Sequence, residues 1–227
     1  VAVFGATGAQ GAPVVDAALA RGFRVRAVAR TREAVSARHG DAVDACGADL
    51  LDPERLAVAL ENVDAAFFHL PLPNGPDQPQ RQLGNLLAAA RRAALPLLVF
   101  STSGASGPRY RQVPLIAGNS AAATAVLGSG VPAIVLSPTV YLENLRVPPI
   151  VPRLVSEGVL DYPPIGAEQR MSWTSQLDQA LIAAAALDRP DLAGRRFEIA
   201  TAGAVTGAEL AALLGPVLGR PVRYAPQ

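Results

Sequence analysis

The chain has 227 residues, 50 % of them hydrophobic, and a formal net charge of +1, which is enough for one sizeable core in an α/β unit with a smaller lobe. Its dispersed arginines make no basic run, which excludes the electrostatic footprint of a nucleic-acid binder, and 1 cysteine with 2 histidines excludes an internal disulfide and leaves no recognisable zinc spacing. The most apolar helical stretch, 177–187, contains Asp178 and is too short to cross a bilayer, and no charged-then-apolar leader opens the chain, so a cytosolic location without membrane contact is expected.

Val1 to Phe4 form an apolar run, as a buried parallel strand requires, and glycines at 5, 8 and 11 follow as a GxxGxxG turn. Behind the turn, Val14, Val15, Ala18 and Leu19 keep helical spacing. Gly5 permits a sharp exit from the strand, Gly8 lets the backbone approach a pyrophosphate, and Gly11 brings the helix close against the sheet. Free N–H groups at the helix start then face the phosphates. Pro13 is tolerated there, because first-turn N–H groups lack intrahelical partners. Gly5, Thr7, Gly8, Ala9, Gln10 and Gly11 are therefore candidate residues for binding a dinucleotide cofactor. No initiator methionine precedes the strand, so a longer parent protein is expected.

Gly22 is placed to end the first helix, and residues 23–29 alternate like a second strand. Arg30 and Arg32 follow, about 20 residues past the glycines, where an acid would hold the ribose 2′-hydroxyl of NAD and an arginine accepts a 2′-phosphate. NADP(H) is the preferred cofactor and NAD(H) the alternative; an exposed arginine without a ligand is the plainer reading. A third strand is expected within 41–51, with Asp49 and Leu50 at its end, where an adenine ring would be bracketed; Asp49 serves equally as a loop cap. Asp52 and Pro53 cap and open the next helix. A strand over 64–70 then ends in His69 and Leu70, before a proline-rich loop. Strand carboxyl ends line the ligand crevice of doubly wound sheets, so His69 and Leu70 can border the cofactor, with a neutral, packed His69 as the competing reading.

Leu83, Leu86, Leu87 and Ala90 give 78–94 a helical period, ahead of a strand over 97–100. The loop from Ser101 to Gly107 carries a run of hydroxyls, Ser103 among them, either where a nicotinamide meets substrate or as a capped polar turn. An alanine-rich helix over 119–127 and a strand over 131–136 complete a nucleotide-binding core, 1–136, of a single domain spanning 1–227. Residues 137–227 are then mainly a substrate lobe. Tyr141, Glu143 and Asn144 stand just past a strand end, and prolines at 148, 149, 152, 163 and 164 prevent a long helix. Ser175 and Asp178 match a helix start, Thr206 and Glu209 a capping box before Leu210, and 196–200 and 221–224 read as short strands. Both acids are read as structural.

Gly5-Ala6-Thr7-Gly8-Ala9-Gln10-Gly11, Val25 to Arg30, Gly47 to Asp52, Ser137 to Leu145, Ser172-Trp173 with Asp178, and Gly207 through Tyr224 together resemble the NmrA-like family of atypical short-chain dehydrogenases. The resemblance covers nearly the whole chain. It implies an α/β, doubly wound parallel-sheet Rossmann fold with a small C-terminal substrate lobe, binding NADP(H) or NAD(H). It also implies one of two roles: hydride transfer to a quinone or another conjugated small molecule, or redox sensing that acts through a protein partner without turnover. Relatives continue past the strand at 222–224, so part of the substrate wall is expected to lie outside this sequence. A homodimer is the assembly left open.

All 20 Lys+Arg residues are arginine. Short-chain dehydrogenases reduce carbonyls with a Tyr-x-x-x-Lys pair, in which lysine lowers the tyrosine pKa, and that pair cannot exist here. Tyr110 is followed four residues on by Pro114, Tyr141 by Leu145 and Tyr162 by Gly166. Hydride transfer to an already electrophilic quinone asks mainly for stacking and orientation, with the proton coming from solvent or one weak acid. Tyr110, Tyr141, His69 and Ser103 are the candidate catalytic side chains.

Overall fold

The computed structural model describes residues 1–72, 75, 77–108, 112–162 and 168–225. In chain order the strands are β1 (Ala2–Phe4), β2 (Arg26–Ala29), β3 (Asp44–Gly47), β4 (Ala66–His69), β5 (Leu98–Ser101), β6 (Ala133–Pro138), β7 (Val140–Tyr141), β8 (Val159–Leu160), β9 (Met171–Thr174), β10 (Arg196–Ile199), β11 (Ala204–Val205) and β12 (Arg223–Tyr224). The α-helices are α1 (Gly11–Ala20), α2 (Arg32–His39), α3 (Pro53–Leu60), α4 (Gln78–Arg92), α5 (Pro114–Leu127), α6 (Val151–Glu157), α7 (Gln176–Ala186) and α8 (Gly207–Leu218). Two compact units result, Val1–Pro138 with Gln176–Ile199, and Thr139–Ser175 with Ala200–Gln227. A cut at residue 136 would therefore misplace 176–199, because α7 and β10 return to the first unit.

In the first unit, seven strands pair in the order β10-β6-β5-β4-β1-β2-β3, all parallel. Burial on both faces of such a sheet demands near-continuous apolar strands, and alternate residues serve opposite layers. Phe4, Phe68, Phe100 and Val135 pack into one layer with Leu56 and Leu60 of α3, Leu86 of α4 and Val126 of α5. Val3, Phe67, Val99 and Ile134 pack into the other with Val14 and Val15 of α1 and Ala180, Ala183 and Ala184 of α7. Phe4, Phe68 and Phe100 stand side by side on adjacent strands, with ring centroids 5.9 and 6.0 Å apart. Each such buried ring contributes roughly 1.5–3 kcal/mol. Helix α5 starts at Pro114, earlier than the alanine-rich run at 119, because proline is preorganised for a first helical turn.

The order in which successive strands are added to the sheet reverses between β1 and β4. Ligands of open α/β sheets bind beyond the strand carboxyl ends at such a point. Those ends carry the Gly5 turn and His69.

The second unit is built of short pieces. Strand β7 pairs parallel with β9, β9 antiparallel with β11, and β12 parallel with β8. Its core gathers Leu145, Ile150, Leu154, Leu160, Trp173, Leu210 and Ala211. Gly158 ends α6 at φ +66°, where a Cβ would lie 2.6 Å from the Pro221 carbonyl oxygen. Thr206 and Glu209 form the reciprocal capping box of α8, and Arg170 binds Glu209 at 3.0 Å. That arginine and the Thr206 N–H hold the Glu209 carboxyl below its usual range, the backbone bond being the larger cause. Among the described residues no helix is long and apolar enough to cross a membrane.

Candidate nucleotide-binding site

The turn between β1 and α1 is built by close backbone approach. Gly5 adopts φ +69°, and a Cβ on Gly11 would lie 2.2 Å from the Gly5 carbonyl oxygen and 2.9 Å from that of Phe4. Backbone atoms cannot yield, so both positions demand glycine. The Ala6 N–H donates to Val28 O at 3.1 Å, and the Gly8 N–H to Gly5 O at 2.9 Å. Thr7, Gly8 and Ala9 are exposed at the crest. Gln10 precedes α1 without a side-chain cap, and the N–H groups of Thr7, Ala9 and Gly11 donate to nothing among the described residues. An uncapped helix N-terminus behind a glycine turn is an anion site in both geometry and charge.

At the end of β2, beside this turn, Arg30 and Arg32 are exposed and form no ion pair among the described residues. They flank Thr31, whose hydroxyl caps α2 by accepting from the Ala34 N–H at 3.3 Å. Two free guanidinium groups around a helix start suit a 2′-phosphate. Asp49 is exposed, its Oδ1 accepting from the Leu51 N–H at 2.8 Å, and Asn85 of α4 donates to Leu50 O at 3.1 Å. Asp49 thus has the loop-capping role, and its neighbour's carbonyl is pinned from α4.

His69 faces Gly5 across the switch point: a Cβ on Gly5 would lie 2.7 Å from its Nε2. His69 Nδ1 lies 3.2 Å from Leu70 O, and since a carbonyl only accepts, the proton sits on Nδ1. Nε2 is then a buried acceptor without a donor among the described residues. Burial pushes the ring's pKa below its ordinary value and keeps it neutral, against a smaller opposing effect of the Leu70 bond.

Of the hydroxyl run after β5, Ser101, Thr102 and Ser106 are buried. Thr102 Oγ1 donates to Gly104 O at 2.6 Å, and Ser106 Oγ lies 2.7 Å from Ser137 Oγ. These groups hold the loop itself. Ser103 is half-buried at φ +59°, a left-handed conformation that costs a residue with a Cβ roughly 1–2 kcal/mol. Of the other catalytic candidates, Tyr141 is buried in β7 of the second unit and Tyr110 lies outside the described residues.

A model of the NmrA-like family matches residues 1–226. The chain belongs to that family. It is similar to the NAD(P)H azoreductase of Xenophilus azovorans, with 32 % identity over 227 residues, 99 % of this chain and 76 % of the relative. It is also similar to the (4-alkanoyl-5-oxo-2,5-dihydrofuran-3-yl)methyl phosphate reductase of Streptomyces griseus, with 30 % identity over 224 residues, 99 % of this chain and 76 % of that one. Among solved structures, the NADPH-dependent quinone oxidoreductase of Escherichia coli in complex with NADPH superimposes with a TM-score of 0.85 at 22 % identity, over 100 % of this chain and 78 % of that one. At that identity the likeness is one of fold.

In this NmrA-like chain the structure adds three side chains that carry no local sequence signal. His39, at the end of α2, lies with Nε2 2.8 Å from Ala6 O and so donates to the glycine turn from outside it. Asn85 pins the loop after β3. Gln179 of α7 is fully buried and bonds Ser101 and Gln10. Each acts across a long stretch of sequence, which no residue spacing announces.

Proposed function

We propose that this NmrA-like protein is a cytosolic NADP(H)-dependent reductase whose acceptor is a quinone, azo compound or enone. The observation that carries the reading is the bare N-terminus of α1 behind a turn that only glycine fits, with unpaired Arg30 and Arg32 beside it. Two relatives at 30 % identity or more are both reductases, and the quinone oxidoreductase with the same fold holds NADPH.

Bound NADPH would supply the hydride. The turn N–H groups of Thr7, Ala9 and Gly11 would hold the pyrophosphate, and Arg30 and Arg32 would hold the 2′-phosphate. Neutral His69 closes the wall of the turn, and the loop from Ser101 to Gly107 would border the nicotinamide end. Without lysine, the chain contributes orientation and water exclusion more than proton transfer, which suits acceptors that are already electrophilic. The missing lysine is equally compatible with a second reading, a redox sensor that binds the nucleotide without turnover.

NADPH fluorescence recorded on mixing with the protein, followed by a panel of quinones, azo dyes and enones, separates the two. Enhanced fluorescence that decays catalytically with one acceptor supports the reductase. Binding without decay moves the assignment to the sensor, and no binding overturns the nucleotide site.

A further inference from the structure

Helix α7 re-enters the first unit and places an uncharged amide, Gln179, at 0 % exposure behind the glycine turn. The Ser101 hydroxyl donates to Gln179 Oε1 at 2.7 Å, and the Gln179 Nε2 group donates to Gln10 Oε1 at 3.4 Å. Ser103 closes a ring: its N–H donates to Ser101 Oγ at 3.1 Å and its hydroxyl to Gln10 Oε1 at 3.2 Å. Three separate segments meet here: the residue before α1, the end of β5 and the middle of α7. In this pattern Gln179 turns its oxygen to Ser101 and its nitrogen to Gln10.

Ser103 keeps its left-handed backbone within this ring, and both its N–H and its hydroxyl are used to hold it. Gln10 is the last residue of the glycine turn, directly before the uncapped start of α1. A displacement of Gln179 is therefore felt at the phosphate end through Gln10 and at the nicotinamide end through Ser103. Leucine at 179 would fill similar space but leave Ser101 without its Gln179 acceptor and remove the Gln179 donor from Gln10 Oε1.

Resting on the nucleotide-binding reading above, we propose that Gln179 is a positioning residue that couples the glycine turn to the loop after β5, setting nucleotide affinity and acceptor turnover together. It touches neither ligand. Its contribution to this coupling is the acceptor for Ser101 and the donor to Gln10 on a single buried amide.

The decisive variant is Gln179→Glu, which keeps the size and the acceptor for Ser101 but replaces the donor facing Gln10. Ionised, the carboxylate sets an acceptor against Gln10 Oε1; protonated, its O–H restores the bond. Burial raises a carboxyl pKa, so the switch falls in an accessible window. NADP+ affinity of Gln179→Glu, Gln179→Leu and wild type is measured from about pH 8 to about pH 5.5. Taking the ratio to wild type removes the titration of the ligand's own phosphate.

The expected result is a loss of about tenfold for Gln179→Leu at every pH, and for Gln179→Glu a loss at high pH that recovers as pH falls. With the acceptor found for wild type, kcat falls along with affinity in the same pattern. A ratio for Gln179→Glu that does not change with pH overturns the proposal, and so does wild-type affinity in Gln179→Leu. Should Gln179→Leu fail to fold by circular dichroism, the pH ratio of Gln179→Glu alone decides. Failure of wild type to bind NADP+ overturns the nucleotide site and this inference together, whereas binding by wild type with unaffected variants overturns only the role of Gln179.

Discussion

The two units solve burial in different ways. In the first, a seven-stranded parallel sheet is covered on both faces, and its central strands β1, β4, β5 and β6 are largely apolar runs whose alternate side chains feed two layers. The second has four two-residue strands beside the four-residue β9, a cluster of seven buried apolar residues around Trp173 among the described residues, and close backbone approaches such as Gly158 on Pro221. Redundant packing makes the first tolerant in its core and intolerant at its turns; a small core makes the second dependent on single large side chains.

Removing Trp173 tests the second half of that contrast most severely. Trp173→Ala should cost about 3–5 kcal/mol of stability, read as a lower urea midpoint, while NADPH affinity of the remaining folded protein is unchanged. Gly11→Ala reverses the pattern: overpacking against the Gly5 carbonyl should cost about 1–3 kcal/mol, and calorimetric titration should find NADPH binding lost. If both variants lose stability and binding in proportion, the two units are not independently sensitive.

Arg30→Ala sharpens the account of the first unit without disturbing its packing, because the side chain is exposed. NADPH should bind about tenfold more weakly, with NADH affinity unaltered; equal losses for both nucleotides would contradict a 2′-phosphate site. The smallest expected effect is a pH dependence from His69. Its folded pKa is depressed by burial below the ordinary 6.5, so as pH falls the unfolded chain takes up the proton first. Stability from this group is fully present above pH 6.5 and is lost as pH falls toward the folded value, by about 1 kcal/mol per pH unit. His69→Asn should flatten that part of a plot of urea midpoint against pH; an unchanged slope would show that His69 does not titrate differently on folding.

Much of the first unit, and α8 of the second, was legible in the residues. Val1 to Phe4, the three glycines, Asp52-Pro53 and the Thr206–Glu209 capping box each encode a local geometry, and β1, the turn, α3 and α8 follow them. Boundaries moved where tertiary packing extended or trimmed an element: α5 gained a turn and more at its start, and β2 begins only at Arg26. In the second unit β7, β8, β9 and β11 were not foreseen, because a strand of two to four residues has no period and exists only through its partner.

By itself, then, the sequence determined the glycine turn, the positions of Arg30 and Arg32, and the absence of a Tyr-x-x-x-Lys pair. Those depend on backbone sterics, on a period of two or 3.6 residues, or on composition. Only the tertiary structure decided that α7 returns to the first unit, that His39 holds Ala6, and that Gln179 meets Gln10 across 169 residues. A buried amide is costly unless each of its atoms finds a partner, and those partners exist only once distant segments have been brought together.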